Sequence, residues 1–155
     1  MPRSRPGALR TEQHAPRVWN SPPPERIHGL STRTSLAIHR VEELSDDPDV
    51  FPSATDTALR RYRSFLRPGR RPLYPELDDC GCPGCSLHDV RHARDVLDAV
   101  LERLPHRARA ELIARIAPLD ARYLARTLPD PFAYERQWYP QVWWRRRIAG
   151  GQRLG

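Results

Sequence analysis

Apolar residues recur at helical spacing along two long stretches of the chain. Val90, Ala93, Val96, Leu97, Val100, Leu101 and Leu104 fall on one stripe, and Ser86 followed by Asp89 supplies a capping-box start. Pro105 ends that helix and suits the first turn of the next. The second stripe comprises Ala108, Leu112, Ile113, Ile116, Leu119, Tyr123, Leu124 and Leu128. Pro118 removes one backbone hydrogen bond inside it, which predicts a kink, and Pro129 and Pro131 stop it. Two helices joined this closely are expected to double back as an antiparallel hairpin.

Upstream the pattern is weaker. Ala58, Leu59, Tyr62, Phe65 and Leu66 predict a short helix over Ser53 to Arg67, stopped by Pro68-Gly69, with Arg60, Arg61, Arg63 and Arg67 on its other face. A further helix is expected over Ser35 to Leu44. Residues 68–79 read as a Pro-punctuated linker, because each Pro biases its predecessor away from helix. The expected organisation is a disordered Arg/Pro-rich arm over 1–34 and one or two short helices over 35–67. After the linker come a cysteine cluster with hairpin and aromatic tail over 80–148, and a disordered end over 149–155. The fold class is mainly α.

Composition shifts this picture in two ways. Of 155 residues 17 are Pro and only 39% are apolar, below the usual ~45–50%, so a substantial part of the chain is expected to lie outside the core. The net charge is +7, and every one of the 26 basic residues is arginine. Acidic Glu42, Glu43, Asp46, Asp47, Asp49 and Asp56 are followed directly by Arg60, Arg61, Arg63, Arg67, Arg70 and Arg71, which reads as mutually compensating flanks. No five consecutive residues are all apolar, so neither a membrane helix nor the core of a secretory signal is expected, and a cytoplasmic location follows.

The one concentrated chemical motif is Cys80-Gly81-Cys82-Pro83-Gly84-Cys85, followed by His88 and His92 at the head of the first long helix. An odd number of thiols speaks against a disulfide framework. Zinc takes four thiolate or imidazole ligands, and Gly between closely spaced cysteines lets the backbone wrap the ion. Cys82-Pro83-Gly84-Cys85 resembles one knuckle of a zinc ribbon. A ribbon needs a second Cys-x-x-Cys, which this chain lacks, so the resemblance implies a knuckle and not the ribbon fold. The expected ligands are Cys80, Cys82, Cys85 and His88, with His92, one helical turn on, competing for the fourth place. The enzymatic alternative is thiol–disulfide exchange, with Cys82 attacking and Cys85 resolving, since a helix N-terminus stabilises a thiolate. No nucleophile elbow, phosphate-cradling glycine loop or H-E-x-x-H sequence occurs.

The tail gathers Phe132, Tyr134, Trp138, Tyr139, Trp143 and Trp144 and then Arg145, Arg146 and Arg147. Its first reading is a cover for the open flank of the hairpin. Its second is a stacking surface for nucleic-acid bases or a partner protein. The sequence therefore points to a small zinc-binding interaction module, with Arg60, Arg61, Arg63, Trp143, Trp144, Arg145, Arg146 and Arg147 as its contact surface. The expected partner is nucleic acid, a ribonucleoprotein or an acidic protein, with no membrane involved. A small helical scaffold, oligomeric through its Leu and Val stripes, is the third reading.

Overall fold

A computed structural model describes residues 25–67, 90–133, 135 and 142–149. They form four α-helices, α1 (Thr32–Glu43), α2 (Ala54–Phe65), α3 (Val90–Arg103) and α4 (His106–Arg126). Two three-residue strands, β1 (Thr127–Pro129) and β2 (Arg147–Ala149), pair antiparallel with Leu128 opposite Ile148, and a 3₁₀ turn over Trp143–Arg146 leads into β2. The protein is mainly helical, as expected, with a small sheet that the apolar pattern did not announce.

The stripes explain which faces pack. On α3, Leu97 and Val100 are fully buried, as is Leu112 on α4, and they share one core with Ile38, Leu59, Tyr62 and Tyr123. That shared core alters the expected organisation. Helix α3 packs most extensively on α2, and α1 packs on α4, so the short upstream helices are integral to the same unit as α3 and α4. Hydrophobic burial is thus not left to α3 and α4 alone. The stripe of α3 is buried, whereas Ile113, Leu124 and Leu128 of the second stripe remain exposed, against the inward face expected for them.

Four boundaries move. Of the arm expected over 1–34, residues 1–24 lie outside the described residues, but Ile27 and Leu30 are buried, so the ordered unit already includes them. Helix α1 then starts at Thr32 rather than at Ser35, because the Ser31 hydroxyl accepts from the Thr34 amide as an N-cap. Helix α4 runs without a break through Pro118; both Pro118 and Ala114, whose carbonyl the proline leaves unpaired, face solvent. The helix stops at Arg126, and the last apolar position of its stripe, Leu128, is in β1. At the other end, Ala149 is in β2 opposite Thr127, while residues 150–155 lie outside the described residues, as do the linker 68–79 and the cysteine cluster.

Carboxylates from neighbouring helices hold the helix starts. Glu42, only 2% exposed, projects from α1 to accept from the Ser53 amide at 2.9 Å and the Thr55 amide at 2.8 Å. These are donors of the first turn of α2, which has no capping hydrogen bond from its own Ser53 side chain. Ser53 itself has φ = +71°, a left-handed conformation that costs a non-glycine residue about 1 kcal/mol, and the Glu42 contact helps hold it there. Glu111 of α4 performs the same service for α1, accepting from the Ser31 amide, the Ser31 hydroxyl and the Thr34 hydroxyl. The Thr34 hydroxyl, followed by the Ser31 amide and hydroxyl, holds the Glu111 carboxyl below its ordinary pKa.

Glu42→Ala leaves two first-turn amides without an acceptor, one of them buried, and is expected to destabilise the protein by about 2–3 kcal/mol. Urea unfolding should show the midpoint falling with the slope unchanged. Because the folded pKa of Glu111 lies below the unfolded one, its contribution is full above the ordinary glutamate range and disappears as pH falls through the lowered value. The stability gap between wild type and Glu111→Gln should therefore narrow as pH is lowered from about 6 to about 3, in parallel thermal melts.

Candidate functional site

The sequence-predicted site residues fall into three groups. Cys80, Cys82, Cys85 and His88 lie outside the described residues. His92 is placed in the first turns of α3, where its Nε2 is 3.7 Å from an Asp49 carboxylate oxygen in the α1–α2 loop. Among the described residues no group of three or more His, Cys, Asp or Glu side chains gathers as a metal site would require. No helix among them is long and apolar enough to cross a membrane.

The described tail residues from Trp143 to Arg147 are brought together, and Trp144 faces inward. Trp144 is 4% exposed, and its indole N–H donates to Asp95 Oδ1 of α3 at 2.7 Å. Arg145 pairs with Oδ2 of the same carboxylate. The Trp144 carbonyl accepts from the Tyr123 hydroxyl at 2.8 Å, and the Arg94 guanidinium lies 4.2 Å from the Trp144 ring centroid. Trp143, at 36% exposure, packs edge-on against both Tyr123 and Trp144. Arg147 donates to the Thr127 hydroxyl at 2.6 Å and to the Thr127 carbonyl at 2.7 Å, fastening β2 to β1. Arg146 is half-buried between them. The expectation that Trp144, Arg145 and Arg147 form a contact surface is therefore corrected: an indole with its N–H and face already engaged has no open face for a base. Tyr134, Trp138 and Tyr139 lie outside the described residues, and Phe132 is exposed.

Helix α2 behaves as the sequence proposed. Ala58, Leu59 and Tyr62 are buried, while Arg60 and Arg61 are exposed and Arg63 is half-buried. Arg60 pairs with Asp56 one turn earlier at 2.8 Å, yet its side chain remains 71% exposed, so the pair contributes little and leaves the charge open to solvent. Just beyond the helix Arg67 is exposed as well.

Comparison with protein-family models, with curated proteins and with solved structures finds no match. The functional reading therefore rests on the chain's own geometry.

A cleft of about 250 Å³ opens between the segment at Glu25–Ile27, α1 and the start of α2. His39 crosses it, with Nε2 2.9 Å from the Glu25 carbonyl oxygen and Nδ1 3.4 Å from Glu42 Oε2. Both Glu42 oxygens are taken by backbone amides, so the cleft offers a structural tie rather than a free general base.

Sequence reasoning missed the residues that organise this region. Arg94 is 7% exposed; its Nε bonds Asp120 Oδ1 at 3.1 Å, and the Tyr62 hydroxyl donates to the same oxygen at 2.7 Å. Burial raises the Asp98 pKa, against the pull of Arg94, whose Nη1 lies 3.5 Å away. The available signal was positional. Arg94 and Asp95 directly follow Ala93 of the apolar stripe, and Asp120 directly follows Leu119, at stripe borders where a charged side chain reaches a neighbouring helix.

If Trp144 is the inward anchor, Trp144→Phe should cost about 1–2 kcal/mol through its lost N–H bond to a charged acceptor. Trp143→Phe should cost less than about half of that. Equal losses in chemical denaturation would overturn the assignment.

Proposed function

We propose that this chain is a small interaction module, not an enzyme, that contacts nucleic acid through backbone phosphates and carries a structural zinc ion. The observation that carries the nucleic-acid reading is the solvent face of α2: Arg60, Arg61 and Arg63 with Arg67 just beyond, on a helix whose only acidic residue is Asp56. Guanidinium groups in a row match phosphate oxygens in charge and donor geometry. The surface differs from the one expected from sequence, since burial of Trp144 removes the stacking element and leaves a phosphate-contacting one.

The zinc reading is supported by ligand type and spacing, Cys80, Cys82, Cys85 and His88 immediately ahead of α3. The proximity of His92 to Asp49 supports His88 as the fourth ligand, with His92 second. Zinc there would hold the chain at the entry to α3 and cap the α3–α4 pair, and three thiols kept as ligands fit a reducing compartment such as the cytoplasm.

Elemental analysis of natively purified protein is expected to give about one zinc per chain, lost in Cys82→Ser. Thiols that alkylate rapidly at neutral pH without chelator would overturn the zinc reading in favour of a Cys82/Cys85 redox pair. Binding of a fluorescent oligonucleotide should weaken steeply as salt rises. Affinity that is flat with salt would overturn the phosphate reading, and tight binding of an acidic protein with none of nucleic acid would replace it.

A further inference from the structure

Helix α4 is apolar on two opposite sides. Its inner side, through Ala108, Leu112, Ile116, Leu119 and Tyr123, is buried. Its outer side runs through Ala110, Ile113, Ala114, Ala117, Ala121 and Leu124, every one of them exposed, with exposed Pro118 and Ala125 beside them. Steps of three and four residues keep these positions on one face for about 22 Å, and no charged side chain interrupts it. The solvent side of a surface helix ordinarily carries polar residues. Just past the helix Leu128 and Ile148, opposite each other across the ribbon, are exposed as well. A continuous apolar face of this kind marks a contact with another molecule.

Three features of the face select what covers it. The first is side-chain size. Alanine at 110, 114, 117 and 121 lets a second helix axis approach to about 8 Å, whereas a lipid surface is bound by bulkier apolar side chains. The second is charge. The two carboxylates of α4 are both engaged within the protein, Glu111 by Ser31 and Thr34, Asp120 by Tyr62 and Arg94. Arg107 at one end of the face and Arg122 near the other are exposed. A second copy would set arginine against arginine in either orientation, while an acidic border on a partner meets both. The third is a backbone acceptor. Pro118 has no amide for the Ala114 carbonyl, which leaves an acceptor in the middle of the face. Neither lipid chains nor the side chains of another such alanine face carry a donor for it; a serine, threonine or asparagine does.

We infer that the outer face of α4 docks one amphipathic helix of a partner protein, with small apolar residues and one hydroxyl or amide donor on its contact side and Asp or Glu at the borders, where they meet Arg107 and Arg122. This surface shares no residue with the arginines of α2, so it stands or falls separately from the nucleic-acid reading.

The test uses the full chain and two synthetic helical peptides of about 20 residues, long enough to span the face. They share one Ala/Leu face with a central Ser and differ only at the borders, Glu in one and Lys in the other. Fluorescence anisotropy should show the Glu peptide binding at least about tenfold more tightly than the Lys peptide. Ala117→Arg, at an exposed position, should abolish that binding with the melting temperature unchanged. Arg122→Glu should shift the preference toward the Lys peptide, while Arg60→Gln and Arg61→Gln should bind the Glu peptide as wild type does. Equal binding of the two peptides, binding of neither, or binding insensitive to Ala117→Arg overturns the inference. Self-association in sedimentation equilibrium that Ala117→Arg removes assigns the face to a second copy and overturns it too. Binding to phosphatidylglycerol vesicles that Ala117→Arg removes does the same in favour of a lipid surface. A lowered melting temperature of Ala117→Arg assigns the face to the chain's own residues outside those described, which also overturns it.

Discussion

The guanidinium of Arg94 is held almost out of water at the point where α2, α3, α4 and the C-terminal turn meet, and the arrangement of those elements depends on its neutralisation. Burying an unpaired charge costs several kcal/mol, so Arg94 constrains its surroundings to supply a carboxylate. Asp120 of α4 does so, and the same oxygen takes the Tyr62 hydroxyl of α2. The Trp144 ring covers the other side of the guanidinium. Such a buried pair adds little to stability by itself, but it ties side chains of three helices to one carboxylate.

The same logic recurs at the periphery. Glu42 reaches from α1 to the start of α2, Glu111 from α4 to the start of α1, and Asp95 from α3 to Trp144 and Arg145. Each carboxylate satisfies donors that belong to a different element, so helices too short to persist alone are stabilised only in the assembled unit. This is why the upstream segment from Glu25 to Arg67 and the pair α3 and α4 form one core. A zinc ion at the entry to α3 would add to this unit rather than create it.

Arginine has two opposed uses in this protein. Where a carboxylate, carbonyl or indole face meets it, as for Arg94, Arg145 and Arg147, it is a tie between elements. Where the side chain stays exposed, as for Arg60, Arg61 and Arg67, its charge is presented to solvent. A basic composition by itself does not separate these uses, and the tail shows the consequence: residues 145–147 look as cationic in sequence as residues 60–63, yet Arg145 and Arg147 fasten the core while Arg60 and Arg61 face water.

The sequence by itself determined the helices and their inward faces. The stripes through Val90 to Leu104 and Ala108 to Tyr123, and the alternation of Leu59 and Tyr62 with Arg60 and Arg61, encode burial through a period that each segment carries alone. It also determined which residues are chemically capable of holding a metal. Only the tertiary structure decided which helix packs on which, that Ile27 and Leu30 join the core, and that Trp144 turns inward. The physical reason is range. Periodicity is a property of neighbours along the chain, whereas the partner of a carboxylate or a guanidinium lies up to eighty residues away, as Ser31 does from Glu111, and is fixed by packing alone.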